Sequence, residues 1–186
     1  MDVRPGGTDP GDRRPDVGRP DARVRPQRRL SANEAAGIVA LACRLLLAGV
    51  WLYAGVSKVG DLDASIRAVK AYQLLPSTVA ELVGAALPLF EIMLGLLLLA
   101  GMATRLAAAV SALLLVAFVV GIVSAWARGL RIDCGCFGGG GELAADESPE
   151  YWLELSRDLV FLAATAVLLR WPRTRWSLDG WLSART

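Results

Sequence analysis

Two cysteines separated by one residue, Cys134 and Cys136, are the residues of this chain best suited to chemistry. They lie in the segment Asp133-Cys134-Gly135-Cys136-Phe137-Gly138, which three further glycines follow. A disulfide needs its Cα atoms about 4.4 to 6.8 Å apart, and a sharp turn at Gly135 would bring its two neighbours within that range. We expect the small ring to be strained, and therefore easier to reduce than a structural disulfide.

The whole chain has three cysteines and no histidine, which removes several classes of site. It can form no histidine-ligated haem, no histidine-bound zinc and no imidazole-based catalytic triad, and a four-ligand zinc site would need carboxylates or a second chain. We therefore predict Cys134 and Cys136 as the catalytic residues and assign no metal site. The alternative is that the two thiols pack in a turn as small hydrophobic side chains.

The composition is typical of a membrane protein, because 54% of the residues are hydrophobic and the mean hydropathy is +0.44. A helix needs about 20 apolar residues to cross about 30 Å of hydrocarbon. Four runs approach or exceed this length, which predicts an all-α integral membrane protein with a four-transmembrane-helix bundle. The runs are residues 35–57, 79–101, 106–127 and 152–171. Charged residues interrupt the start of the fourth run, so its first turns should lie at the interface or face protein.

The predicted bundle sets the domain boundaries. Residues 1–34 form a predicted disordered cytoplasmic tail, residues 35–171 the membrane domain, and residues 172–186 a short cytoplasmic tail. Residues 1–30 are rich in Arg, Asp, Pro and Gly and contain few aliphatic side chains, so they cannot bury enough apolar surface to offset chain entropy. Interspersed aspartates and the absence of aromatic residues in this stretch argue against nucleic-acid binding.

Basic residues orient the bundle, because cytoplasmic loops carry an excess of Lys and Arg. Nine basic residues flank the spans on one side and five on the other. The nine are Arg23, Arg25, Arg28, Arg29, Arg105, Arg170, Arg173, Arg175 and Arg185, and the five are Lys58, Arg67, Lys70, Arg128 and Arg131. We expect a multi-pass cell-membrane protein with both termini in the cytoplasm. The Cys134/Cys136 loop would then lie outside it, where disulfides persist, while Cys43 would sit in the inner half of the membrane.

Charged residues at membrane depth are costly and usually have partners. Counted from the cytoplasmic ends at about 1.5 Å per residue, Arg44 and Glu91 reach similar depths, and Lys58 and Asp158 both lie towards the outer face. We therefore predict two structural ion pairs, Arg44 with Glu91 and Lys58 with Asp158. Arg157 would turn towards water or lipid headgroups.

A functional interpretation of the charges is also open. Lys58 or Arg157 would lower the pKa of a nearby cysteine and make it a thiolate nucleophile, or the charges would polarise a bound membrane quinone. Trp51, Tyr53 and Tyr72 would line such a pocket, although aromatic residues near an interface often serve as membrane anchors.

Five short segments between Arg44 and Leu169 carry a family resemblance. They are Arg44 with Leu45-Leu46-Leu47-Ala48-Gly49, Tyr53-Ala54-Gly55-Val56-Ser57-Lys58, Tyr72-Gln73-Leu74-Leu75-Pro76, Leu87-Pro88 with Glu91 and Gly95, and Cys134-Gly135-Cys136-Phe137-Gly138. In order and spacing they resemble the MauE methylamine-utilisation family, part of the wider DoxX-like group of four-helix membrane proteins.

The resemblance implies a protein associated with disulfide formation or maturation of exported proteins, often beside a thioredoxin-like partner. Our leading hypothesis is a thiol-disulfide oxidoreductase in which Cys134 and Cys136 exchange electrons with such an exported partner, with a membrane quinone as a candidate electron acceptor. Two alternatives stay open. One is a non-enzymatic membrane scaffold for the same partner, and the other is soft-metal delivery by the two thiolates.

Overall fold

The computed structural model describes residues 32–144 and 147–171. Five helices and one short β-ribbon follow one another in the order α1 (Ala32–Val59), α2 (Leu62–Ala71), α3 (Ser77–Ala100), α4 (Thr104–Ala127), β1 (Ile132–Asp133), β2 (Gly141–Glu142) and α5 (Tyr151–Arg170). The predicted tails lie outside the described residues, except that residues 32–34 belong to the start of α1. The β-ribbon was not predicted.

The four apolar runs all form helices, and their ends lie within three residues of the predicted ends. Among the described residues, three helical segments are long and apolar enough to cross a bilayer, namely Glu34–Val59, Ser77–Ala100 and Thr104–Ala127. Helix α5 has 20 residues, about 30 Å of length, but it carries two acidic and two basic residues. The chain is therefore a mostly helical membrane protein, and the crossing of the membrane by α5 stays a prediction.

The four long helices share one apolar core. Helix α1 packs against α3 and α5, and α4 packs against the same two helices. Leu47, Leu98 and Leu168 are fully buried where these helices meet. The outer surface is also apolar, since Leu82 and Leu113 are 71% and 70% exposed. An apolar exterior around an apolar core is the arrangement expected of helices that contact lipid.

Two glycines set the register of α1 against α3. A Cβ atom added at Gly55 would lie 2.6 Å from the carbonyl oxygen of Pro88, and one added at Gly95 would lie 2.7 Å from Cγ of Leu52. The two backbones therefore approach closely, as small residues permit at membrane helix interfaces. This register decides which charged side chains can meet.

The register pairs Glu91 with Lys58, so the predicted Arg44–Glu91 pair is wrong. Lys58 Nζ donates to both carboxylate oxygens of Glu91 over 2.7 and 2.8 Å, and both side chains are buried. Gly55 lies opposite Pro88, less than one turn from Glu91 on α3. Arg44 precedes Gly55 by eleven residues, which is about 16 Å along the helix axis.

The predicted Lys58–Asp158 pair is wrong for a related reason, because the Lys58 ammonium group is paired with Glu91. Asp158 pairs instead with its neighbour Arg157, whose guanidinium lies 3.1 Å from Asp158 Oδ1. Arg157 is 25% exposed and points towards the cysteine segment rather than towards water. The four predicted charges are all buried, and three of them, Lys58, Glu91 and Asp158, have partners other than the predicted ones.

A hairpin carries the cysteines. Strands β1 and β2 pair antiparallel, with Ile132 opposite Glu142 and Asp133 opposite Gly141. Residues 134–140 therefore form the loop of this hairpin, and we call residues 132–142 the cysteine hairpin. It packs on α2 and touches the end of α1 at Ser57. We call this end of the bundle the cysteine end.

The basic-residue distribution predicts the orientation of the bundle. Reporter proteins fused after Gly140 and after Thr186 should report opposite sides of the membrane, with the Gly140 fusion outside the cytoplasm. This result requires α5 to cross. Two reporters on the same side would show that α5 does not span.

The buried Lys58–Glu91 pair should contribute strongly to stability. Lys58→Met or Glu91→Gln removes one partner and should lower the free energy of unfolding by about 3–5 kcal/mol, because the other charge remains buried. Thermal unfolding of the purified protein in detergent measures this. The exposed Lys70–Glu81 pair is the matched control, where a loss of about 0–1 kcal/mol is expected.

A charge exchange tests whether the two residues interact. Lys58→Glu combined with Glu91→Lys should recover part of the loss, since coupled residues give non-additive effects in a double-mutant cycle. Strictly additive losses would contradict the pair.

Candidate functional site

Two glycines allow the cysteine hairpin to lie flat on α2. A Cβ atom at Gly135 would lie 2.6 Å from Cβ of Ala68, and one at Gly140 would lie 2.4 Å from Cα of Gly135. Both glycines also have positive φ angles of +67° and +86°, which residues with a side chain rarely adopt. The Gly-rich sequence is therefore needed for both the turn and the close packing on Ala68.

Cys134 and Cys136 form a disulfide inside this loop, with Cα atoms 5.3 Å apart. The backbone N–H of Cys136 also donates to Sγ of Cys134 over 3.2 Å. Both cysteines are partly buried. Cys43 is a free thiol on α1, packed against the core between the long helices, so it belongs to a separate part of the protein.

Arg157 links the disulfide to the interior of the bundle through three contacts. Its guanidinium lies 3.7 Å from Sγ of Cys134 and 4.7 Å from the centre of the Phe137 ring. Its Nε also donates to Oδ1 of Asp158 over 3.1 Å. A single cation therefore touches a disulfide sulfur, an aromatic face and a buried carboxylate.

Polar side chains fix the backbone of Cys134 on both sides. Glu154 Oε1 accepts from the Cys134 N–H over 3.2 Å, and the Tyr72 hydroxyl donates to the Cys134 carbonyl over 3.3 Å. Burial, assisted by nearby carboxylates including that of Glu154, raises the pKa of Tyr72 above its ordinary value. The phenol therefore stays protonated and remains a donor at neutral pH.

A small cavity lies behind the hairpin, between the disulfide and the buried charges. Its volume is about 20 Å³, which is room for about one water molecule. Cys136, Glu91 and Asp158 line it together with Arg157. Apolar residues form the rest of the wall, namely Val50, Trp51, Ala54, Leu115, Phe118, Phe137 and Phe161. The disulfide and two buried carboxylates therefore line one small cavity.

The three aromatic residues singled out in the sequence lie at or near this end of the bundle. The Tyr53 ring packs against Phe137, with ring centres 5.4 Å apart. Trp51 lines the cavity and donates its Nε1–H to Oγ of Ser111 over 3.0 Å. Tyr72 holds the Cys134 carbonyl, as described above.

The charges predicted from the sequence divide into two groups. Glu91, Asp158 and Arg157 line the cavity beside Cys136, and Lys58 joins them through Glu91. Arg44 precedes Lys58 by about four helical turns on α1, away from the buried charges of the site. Of the two basic residues expected to act on a cysteine, Arg157 is the one in contact with Cys134.

Sequence reasoning missed the contribution of Ala68, Tyr151 and Glu154. The Tyr151 hydroxyl accepts from the Ile132 N–H over 3.2 Å and donates to the Leu130 carbonyl over 2.5 Å, which ties α5 to the base of the hairpin. Glu154 is one of the charged residues that interrupt the start of the fourth apolar run, and the sequence gives it no further role. A carboxylate one turn before Arg157 was the available signal that this helix face is polar.

Metal binding also has a geometric basis among the described residues. One donor atom each from Asp133, Cys134 and Glu154 lies within 4.8 Å of the others. The Cys134 sulfur is bonded to Cys136, however, and only the reduced protein would offer a thiolate. The cationic Arg157 lies 3.7 Å from the same sulfur and would oppose a metal ion there. We therefore assign no metal to this cluster.

Comparison with known proteins establishes the family. The sequence model of the family described as Methylamine utilisation protein MauE matches residues 36–171, which include the whole cysteine hairpin and the charges around it. The chain belongs to the MauE family. Membership in the wider DoxX-like group stays a prediction.

One curated member of this family is the Methylamine utilization protein MauE of Paracoccus denitrificans. It is 32% identical to this chain over 128 residues, which are 68% of this chain and 66% of that protein. The chain thus matches just under two thirds of its relative's length. No solved structure matches the chain.

The close packing of Gly135 on Ala68 leads to a test with a matched control. Gly135→Ala should loosen the hairpin, because it adds a steric clash of about 1–3 kcal/mol to the cost of the left-handed backbone. Gly139 has nearly the same φ angle, +69° against +67°, but nothing within 4 Å of an added Cβ. Gly139→Ala therefore measures the backbone cost alone.

The expected readout is the rate at which dithiothreitol reduces the disulfide in the purified protein. Gly135→Ala should raise this rate well above that of Gly139→Ala, and Ala68→Gly should partly reverse the effect. Equal rates for the two alanine variants would contradict packing of the hairpin on Ala68.

Proposed function

We propose that this MauE-family chain is a membrane thiol-disulfide exchange protein that supports disulfide formation or maturation in exported proteins. In this proposal Cys134 and Cys136 exchange electrons with an exported thioredoxin-like partner. The observation that carries the proposal is the position of Arg157, 3.7 Å from Sγ of Cys134. A cation and the Cys136 N–H on the same sulfur stabilise the thiolate formed when the disulfide opens.

These contacts assign different roles to the two cysteines. A partner thiolate attacks Sγ of Cys136, the bond between Cys136 and Cys134 breaks, and its electron pair leaves on Cys134 as a thiolate. A stabilised thiolate is the better leaving group. The second partner thiol then loses its proton, attacks the partner's own sulfur in the mixed disulfide, and releases Cys136. The partner ends as a disulfide and the Cys134/Cys136 pair ends reduced.

Repeated turnover needs a two-electron acceptor that reoxidises the pair, and we propose an acceptor of the membrane quinone class. Transfer in the opposite direction, from the reduced pair to an oxidised partner, uses the same steps in reverse. The Paracoccus denitrificans protein is named for methylamine utilisation. For this chain we propose the broader role, since the described site consists of redox-active and charge-stabilising groups.

Two other functions remain distinguishable alternatives. A scaffold that only recruits a thioredoxin-like partner would not need the disulfide to open. Soft-metal delivery is favoured by the proximity of Asp133, Cys134 and Glu154, but Arg157 disfavours a cation beside Cys134. The scaffold gives a result different from exchange in the experiments below.

Serine variants in intact cells test the exchange directly. Cys134→Ser removes the thiolate that re-forms the bond to Cys136 and expels the partner. A mixed disulfide on Cys136 can then be released only by the partner's own second thiol, so a covalent complex with an exported protein should accumulate. Cys136→Ser should trap much less, because the attacked sulfur is absent, and Cys43→Ser should leave the exchange unchanged. Acid quenching, alkylation and mass spectrometry of non-reduced complexes provide the measurement.

The same experiment separates exchange from the scaffold. Two permanently reduced thiols in the unmodified protein, with full function retained when both cysteines are serine, would rule out exchange. Trapping that is equally strong through either cysteine would contradict the assigned division of roles.

Removing the guanidinium should slow the opening of the disulfide. Arg157→Gln should lower the rate of reduction by dithiothreitol roughly threefold to tenfold, because the Cys134 leaving group loses its cation. Arg157→Lys should retain part of the rate, and Arg67→Gln, on the exposed face of α2, should not change it. A rate unaffected by Arg157→Gln would contradict the role given to Arg157.

A further inference from the structure

Four charged side chains lie together beneath the cysteine hairpin, and their charges cancel. Lys58 pairs with Glu91 at 2.7 Å, and Arg157 pairs with Asp158 at 3.1 Å. The disulfide above them is uncharged. These four charges therefore sum to zero in surroundings where net charge is costly.

We propose that reduction of the disulfide is coupled to protonation of Asp158 through the cavity that Asp158 shares with Cys136. This inference rests on the proposed function and deepens it, because it identifies a group that takes up a proton when the site receives electrons. It gives Asp158 a role beyond that of an ion-pair partner.

The geometry leaves one oxygen of Asp158 available. Its Oδ1 accepts from Arg157, while Oδ2 is buried and makes no hydrogen bond with the residues that the structure describes. Asp158 as a whole is 2% exposed, and an unsatisfied buried carboxylate oxygen is costly. The cavity that Asp158 lines has room for about one water molecule, and such a water would supply the missing hydrogen bond and a path for a proton.

Competition between Cys134 and Asp158 for the Arg157 guanidinium favours protonation of Asp158. The Cys134 sulfur lies 3.7 Å from the guanidinium and Asp158 Oδ1 lies 3.1 Å from it. When Cys134 becomes a thiolate, one cation faces two anions, and repulsion between the anions is strong at low dielectric. A proton on Asp158 restores neutrality and leaves Arg157 to the thiolate.

The other ionisable groups near Asp158 are placed less well to accept this proton. Glu91 on α3 already binds Lys58 of α1 through both oxygens. Glu154 on α5 accepts the Cys134 N–H through Oε1, and its buried Oε2 also makes no hydrogen bond with the described residues. Glu154 is nevertheless absent from the lining of the cavity that Cys136 and Asp158 share. Tyr72, at the end of α2, is already protonated and donates to Cys134. On the hairpin, Cys136 lines the same cavity as Asp158, and it becomes a neutral thiol on reduction.

The proposed reduction step balances in atoms and charge. A partner dithiol loses two electrons and two protons and becomes a disulfide. The bond between Cys134 and Cys136 breaks, Cys134 becomes a thiolate and Cys136 takes one proton as a thiol. The second proton converts the Asp158 carboxylate to a carboxylic acid. Reoxidation returns both electrons and both protons to the acceptor.

Proton counting in the purified full-length protein tests this coupling. The Cys134/Cys136 pair is equilibrated with oxidised and reduced dithiothreitol between pH 6 and 7.5, and its midpoint potential is measured against pH. In the unmodified protein we expect the pair to take up two protons with its two electrons. At fixed potential the reduced-to-oxidised ratio should then change a hundredfold per pH unit, which is a shift of the midpoint potential by about 59 mV per pH unit. Asp158→Asn should take up one proton, which is a tenfold change per pH unit, or about 30 mV.

Control variants separate this role from a structural one. Asp158→Glu should retain two protons, and so should Glu154→Gln. Infrared difference spectra should show a protonated carboxylic acid band on reduction, and Asp158→Asn should abolish this band. Two protons in Asp158→Asn, or no such band in the unmodified protein, would overturn the coupling while leaving disulfide exchange intact. A pair that never equilibrates with dithiothreitol would instead overturn the exchange on which the coupling rests.

Discussion

A charge buried in a membrane protein is costly unless an opposite charge accompanies it, and the cysteine end of this chain is arranged around that constraint. Lys58 and Glu91 neutralise each other on α1 and α3. Arg157 and Asp158 do so on α5, but Arg157 also reaches the Cys134 sulfur. Through this second contact, opening of the disulfide in the proposed exchange would change the charge balance of the interior. This contact is the physical reason for treating the disulfide and the buried charges as one site.

Steric fit determines where the disulfide sits relative to those charges. Gly135 and Gly140 bring the hairpin backbone against Ala68 of α2, while Tyr151 and Glu154 attach it to α5. The loop is thus held between two helices, and Cys134 cannot move far from Arg157 without breaking these contacts. Such support from the surrounding side chains is what a precisely placed reactive group requires.

Much of the fold was predictable because apolar runs of membrane length specify helices almost by themselves. Residues 79–101 and 106–127 became α3 and α4 with shifts of at most two residues. The partners of Glu91 and Asp158 were not predictable, since depth counted along one helix does not give the axial offset between that helix and its neighbour. The close approach of Gly55 to Pro88 fixed that offset. The contacts of Ala68 and Tyr151 with the hairpin depend in the same way on tertiary packing rather than on local sequence.

The most direct test of this account is the pH dependence of alkylation at each thiol of the fully reduced protein, measured site by site by mass spectrometry. Because Arg157 and the Cys136 N–H both stabilise charge on Cys134, its alkylation rate should reach a plateau at a lower pH than that of Cys136. Arg157→Gln should bring the two profiles together. Two coincident profiles in the unmodified protein, unchanged by Arg157→Gln, would contradict the claim that Arg157 prepares Cys134 as the leaving thiolate.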